Sequence, residues 1–137
     1  MPDLLPAAQR SYSAPPQLVD RQAHAAYARA VGVAEPDLLQ RPLACFAAVY
    51  LLWPVVPQLF GDPELNLDLP HLLHGEQEFT FARPVEFGEQ ITPRGEVERL
   101  ERRRGMTFIS LATTGTDAGG KAVVQGRSLF VIREVAG

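Results

Sequence analysis

Residues 43–53 read Leu-Ala-Cys-Phe-Ala-Ala-Val-Tyr-Leu-Leu-Trp and carry no charge on any face. A helix that is apolar all round must be enclosed all round, so the rest of the chain has to surround this segment. Pro42 suits its first turn, where the missing N–H is not needed. Pro54, Pro57 and Gly61 end it, and residues 62–70 form a polar connection rich in turn formers. The longest apolar stretch, residues 43–56, is too short to cross a bilayer and contains Pro54.

What encloses the helix is written in the C-terminal half. After His71 apolar residues alternate with polar ones and β-branched types are frequent, the pattern of antiparallel sheet. Strands are expected over residues 76–81 and 90–101, Met106–Thr116 and Ala122–Arg133. Arg83-Pro84 with Gly88, Arg104-Gly105 and residues 117–120 punctuate them, and the last two gaps are short enough for hairpins. Pro93 cannot donate to a ladder, so its strand should meet an edge or a bulge there. Upstream, residues 1–16 read as an irregular lead-in with one short strand near residues 10–13. A first helix follows from Gln17 to a stop at Gly32. Leu18, Ala23, Ala26, Tyr27, Ala30 and Val31 fall on its inner side, while Asp20, Arg21, His24 and Arg29 face water. An apolar helix followed by a long twisted antiparallel sheet has one economical solution, in which the sheet curls around the helix. That is the α+β hot-dog architecture. It leaves a strand edge unpaired, which hot-dog domains cover by dimerising into one continuous sheet.

The chain has 137 residues, enough for a single domain over residues 1–137 but not for two independent cores. Its net charge of -3 argues against a phosphate-binding surface, and no nucleic-acid or membrane partner is expected. The basic run at residues 99–104 reads as a solvated strand end and turn, with a CoA phosphate contact as the other reading. Cys45 stands alone, so no internal disulfide can form, and its place in the apolar run makes it a small buried hydrophobe. The N-terminal residues lack the basic-then-apolar order of a signal peptide, which points to the cytoplasm.

Several short elements occur in a telling order. They are Tyr27-Ala28-Arg29-Ala30-Val31-Gly32, the segment from Pro42 to Phe46, and His74-Gly75-Glu76-Gln77-Glu78-Phe79. Arg83-Pro84 with Gly88, then Gly120-Lys121, then Ser128-Leu129-Phe130-Val131 complete the set. In that order and spacing, over the whole chain after residue 16, the sequence resembles the N-terminal domain of MaoC-like dehydratases. That group includes dehydratase domains like those of fungal fatty acid synthase and subunits of bacterial heterodimeric 3-hydroxyacyl-thioester dehydratases. Active members carry a motif of the form Ser-Gly-Asp-x-Asn-Pro-(Ile/Leu)-His just after the first helix. Its aspartate and histidine add water to a trans-2-enoyl thioester, or remove it from a 3-hydroxyacyl thioester, by general acid/base work.

Laid on that motif, this chain reads Val31-Gly32-Val33-Ala34-Glu35-Pro36-Asp37-Leu38. Val33 stands in the aspartate's place and Leu38 in the histidine's, and neither side chain can move a proton. The resemblance therefore implies a non-catalytic, acyl-binding half of an (R)-specific enoyl-thioester hydratase or 3-hydroxyacyl-thioester dehydratase. A catalytic MaoC-type chain would be its partner, or a second copy of itself as a dimer. Phe46, Tyr50, Trp53, His74 and Gly75 are the candidate acyl-binding residues, His74 more as a structural hydrogen-bonding group than a chemical one. No catalytic residue, metal or cofactor is expected, and acyl-CoA or acyl-ACP is the substrate. Glu35 and Asp37 read as surface carboxylates, and His71 has no assigned role. Two alternatives stand beside this reading: a homo-oligomeric acyl-CoA thioesterase and a stand-alone acyl-thioester binding module. The first is weakened by the absence of any acidic residue in 43–53, and by His74-Gly75 following the helix instead of leading into it.

Overall fold

Period-two burial along the chain gives one antiparallel sheet. The computed structural model describes residues 10–133 together with the short strand Asp3–Leu4 (β1); the rest of the expected lead-in lies outside the described residues. Two more short strands follow, Ser11–Ser13 (β2) and Gln17–Leu18 (β3). The four long strands are Leu72–Phe81 (β4), Gln90–Arg103 (β5), Met106–Thr116 (β6) and Ala122–Arg133 (β7). The sheet runs β1–β5–β6–β7–β4, and β2 and β3 also pair with β5. Along β6 every second residue, from Thr107 through Ile109, Leu111 and Thr113 to Gly115, is buried, while the residues between them are half-exposed. The β5–β6 turn is Arg104-Gly105, with φ of 53° and 73°. Two successive positive φ values match the right-handed twist of the flanking strands. The basic run thus ends in a solvated hairpin, as the sequence indicates.

Pro93 sits in β5 opposite Gly115 of β6. On its other side its carbonyl accepts the Ala14 N–H at 3.3 Å, in the gap where β2 has ended and β3 has not begun. The missing donor therefore falls at an interruption of the edge.

The first helix differs from expectation. Gln17 and Leu18 are drawn into pairing with Ile91 and Gln90, so the helix (α1) spans Arg21–Ala30. Asp20 caps it by accepting the Ala23 N–H at 2.9 Å. The buried face is His24, Ala25 and Ala28, whereas Leu18, Ala23, Ala26, Ala30 and Val31 are exposed. His24, expected in water, is 1% exposed.

The central helix lies across the concave side of the sheet. It opens with a 3-10 turn at Ala44–Phe46 and widens to π-type turns over Ala48–Leu52, where the Trp53 N–H reaches the Ala48 carbonyl at 2.8 Å. Pro54 and Pro57 do not end the helical path. Pro57 lies in the first turn of a further short helix, Val56–Phe60 (α2), which stops at Gly61. Nor is the central helix enclosed all round. Phe46, Ala47, Tyr50, Leu51 and Leu52 are buried, but Ala44 and Cys45 are exposed and Trp53 is 55% exposed. Cys45 is thus a surface residue: the sheet covers one side of the helix and the single chain leaves the other open.

Glycines floor the sheet beneath the helix. A Cβ on Gly115 would lie 2.7 Å from Ile91 Cγ2, 2.8 Å from Val124 Cγ1 and 3.2 Å from Leu51 Cδ1 of the central helix. At Gly95 it would meet Val55 Cγ2 at 3.3 Å. We expect Gly115→Ala to lower the unfolding free energy by about 1–3 kcal/mol, read as a lower urea midpoint at unchanged denaturant slope, and Gly95→Ala to cost visibly less. Equal effects at the two positions would show that the helix is not seated on this floor.

Candidate functional site

The loop between α1 and the central helix is where the resemblance locates catalysis. Gly32 ends α1 with φ of 100°, and the Val33 N–H bonds back to the Ala28 carbonyl at 2.9 Å. Pro36–Leu38 then makes a 3-10 turn. Val33 is half-buried, and Leu38 is 73% exposed. Glu35 and Asp37 are exposed, and Asp37 lies 3.8 Å from Arg29. Neither acid meets an imidazole.

His24 does the work of joining this region to the central helix. Its Nε2 accepts the N–H of Leu43 at 2.9 Å, so the neutral ring carries its proton on Nδ1. Phe46 and Phe87 meet the ring edge-on, with centroids 4.9 and 5.0 Å away. Burial, and secondarily the Arg21 charge, hold its pKa below the ordinary imidazole value. Sequence periodicity missed this residue because alanines on either side give the helix little apolar contrast.

Beyond the Leu43 N–H lies a cavity of about 140 Å³, lined by Arg41, Pro42, Leu43, Ala44, Tyr50, Phe81, Pro84 and Val85. Tyr50 is buried and packs edge-on against Phe46 at 6.0 Å. Burial, with the Glu89 charge second, pushes its phenol above the usual range. Arg83 braces the nearby β4–β5 loop internally through Glu89 at 2.7 Å and ties it to the β6–β7 hairpin through Asp117 at 3.2 Å. The Arg83 hydrogen bonds hold Glu89 low, and backbone N–H groups, first that of Lys121, hold Asp117 low.

The other expected acyl-binding residues lie elsewhere. His74 and Gly75 are on β4, at a bulge between His74 and Glu76. The His74 ring packs on Phe130 at 4.8 Å, and its Nε2 lies 3.0 Å from Gln77 Oε1, which also accepts from Ser128 Oγ. His74 is therefore held in a structural network. The structure thus brings Phe46 and Tyr50 together, puts His74 and Gly75 on an edge strand, and leaves Trp53 at the surface. His71 pairs with Asp68 at 2.9 Å, but both side chains are open to solvent. No described helix is long and apolar enough to cross a membrane.

Residues 10–126 match the family described as "FAS1-like, dehydratase domain region". The chain belongs to this family. A UPF0336 protein of Clavibacter michiganensis subsp. michiganensis is 32% identical over 133 residues, covering 88% of this chain and 89% of its own. Among solved structures, the C-terminally truncated HadBC (3R-hydroxyacyl-ACP dehydratase) complex from Mycobacterium tuberculosis superimposes with a TM-score of 0.70 at 18% identity, over 93% of this chain and 98% of that one. A MaoC-like dehydratase gives 0.67 at 23% identity, over 95% of this chain and 43% of the other. The dehydratase-family domain is accordingly a MaoC-like hot-dog fold, as the order of its sequence elements implies.

The buried histidine makes acid stability a direct readout of this site. Its folded pKa lies below the 6.5 of a free imidazole, so the folded state binds fewer protons than the unfolded chain as pH drops through that value. Its contribution is present above that pH and is lost on acidification. The urea midpoint should fall between pH 7 and pH 5, and fall less in His24→Gln, whose amide oxygen can still accept the Leu43 N–H. Parallel pH profiles for the two proteins would refute the assignment.

Proposed function

We propose that this chain is the acyl-binding, non-catalytic half of an (R)-specific enoyl-thioester hydratase or 3-hydroxyacyl-thioester dehydratase, acting in the cytoplasm with a catalytic MaoC-type hot-dog chain. One observation carries the reading: Val33 and Leu38 occupy the proton-handling positions, and no described carboxylate faces an imidazole inside a cavity. Both side chains of the Asp68–His71 pair are open to solvent, so water beside them is in contact with the bulk. His24 cannot serve as a base, because its free lone pair already accepts the Leu43 N–H.

In this reading the partner supplies the acid/base pair, and this chain supplies shape. The apolar lining from Leu43, Ala44, Phe81 and Val85, closed by Tyr50, receives part of the acyl chain and keeps water from it. The substrate is an acyl thioester of CoA or ACP, and no further cofactor is needed. The family membership and the likeness of fold to one chain of a 3R-hydroxyacyl-ACP dehydratase complex support the same assignment.

Co-expression with a hot-dog chain that carries the intact Asp/His motif should yield a stable pair that hydrates enoyl-CoA faster than the catalytic chain alone, while this chain alone shows no turnover. Absence of both association and rate gain would reject the proposal. Ala44→Leu, which fills the cavity from its exposed rim, should lower kcat/KM roughly tenfold when measured at a partner concentration that saturates assembly. An unchanged kcat/KM would remove this cavity from the acyl path.

A further inference from the structure

The outward side of β4 presents an unusual combination. Among the described residues β4 pairs only with β7, which leaves its second edge open there. Beyond the bulge, Gln77, Phe79 and Phe81 point to the concave face, and Glu76, Glu78 and Thr80 point outward. Leu73, 69% exposed, shares that outward face through its pairing with Val131. Glu76 and Glu78 make no ion pair among the described residues. The nearest candidate, Arg127, stands opposite Glu78 in the register, but its guanidinium is engaged by Glu98 at 3.1 Å on the far side.

Suppose a second copy added to this edge around a two-fold axis. Residues opposite one another in antiparallel strands share a face, so outward residues must meet outward residues. The registers that keep nearly all of Leu72–Phe81 paired set Glu76 against its own copy, or Glu76 against Glu78 twice over. Like charges directly opposite weaken such a pairing. The same two carboxylates would strengthen pairing to a strand that carried cations.

Hot-dog domains pair through an edge of this kind; we infer that here the Glu76/Glu78 pair selects the neighbour, disfavouring a second copy of this protein and favouring a hot-dog chain whose edge strand bears Lys or Arg on its outward face beside an aliphatic residue for Leu73. The inference rests on the reading above that the chain works as one half of a pair. It adds what chemistry the other half must have.

A charge-reversed copy is a ready probe. Sedimentation velocity would compare wild type, Glu76→Lys/Glu78→Lys, and an equimolar mixture of the two. Each protein alone should be monomeric at micromolar concentration. The mixture should form a 1:1 dimer at least about tenfold tighter than either alone, dissociating in 1 M salt, where charges are screened within ~3 Å. The neutral variant Glu76→Gln/Glu78→Gln should self-associate more than wild type, which keeps the test open should the lysine variant misfold. A wild-type dimer as tight as the mixture overturns the inference, and so does a mixture as monomeric as its parts. Because no acyl ligand or catalytic chain is involved, failure here with success in co-expression would relocate the interface and leave the acyl-binding role standing. The converse result would keep the edge and remove the hydratase role.

Discussion

The contact of Leu51 with the glycine floor at Gly115 sets the distance between the central helix and the sheet, and most other features follow from that distance. Removing a side chain from the sheet at this point lets a helix of bulky residues lie close to the backbone. Ile91, Val124 and Leu51 then fill the space a Cβ would have taken. A helix held so close cannot also be wrapped on its far side by its own sheet. The strip that includes Ala44, Cys45 and Trp53 is the consequence: an apolar helix covered on one side only.

The same closeness explains why a histidine is buried where the sequence suggests water. Bringing the start of the central helix against α1 part-buries the Leu43 N–H, and a donor left without a partner costs up to about 1–3 kcal/mol when fully buried. His24 supplies the acceptor from α1, and Phe46 and Phe87 hold its ring in place. In doing so it consumes the lone pair that a general base would need. The one buried imidazole near the cavity is committed to architecture, which fits a loop whose motif positions hold Val33 and Leu38.

Strands were legible where local rules decide them. Met106–Thr116 and Ala122–Arg133 have the bounds expected from alternation and from the turns at Arg104-Gly105 and Asp117, because a hairpin register needs no distant information. β4 begins four residues earlier than alternation indicates, since the Gly75 bulge breaks the period at its start. The first helix failed for a tertiary reason: Gln17 and Leu18 are stronger as partners of Ile91 and Gln90 than as a helical turn. Alanines at 23, 25, 26, 28 and 30 left its inner face unmarked. For the site, Phe46 and Tyr50 were visible as aromatics four apart on one helix. The roles of His24 and of the His74–Gln77–Ser128 network were not, because each depends on a residue from another part of the fold.

These features bear jointly on what the molecule requires. A cavity that opens at exposed Ala44 is dry only if something closes the side of the central helix that the sheet leaves bare. Extending the sheet past β4 would place another layer of structure on the same concave side, since residues inward on one strand face the same way on the next. On the proposed reading, cavity and open edge call for the same neighbour. A copy of this chain would bring Val33 and Leu38 again, and a second row of outward glutamates, so it would complete the shape without the chemistry and against the charge. On the proposed reading, a chain with the acid/base pair and a basic outward strand answers both deficits, and one physical encounter would assemble the wall and the reactive groups together.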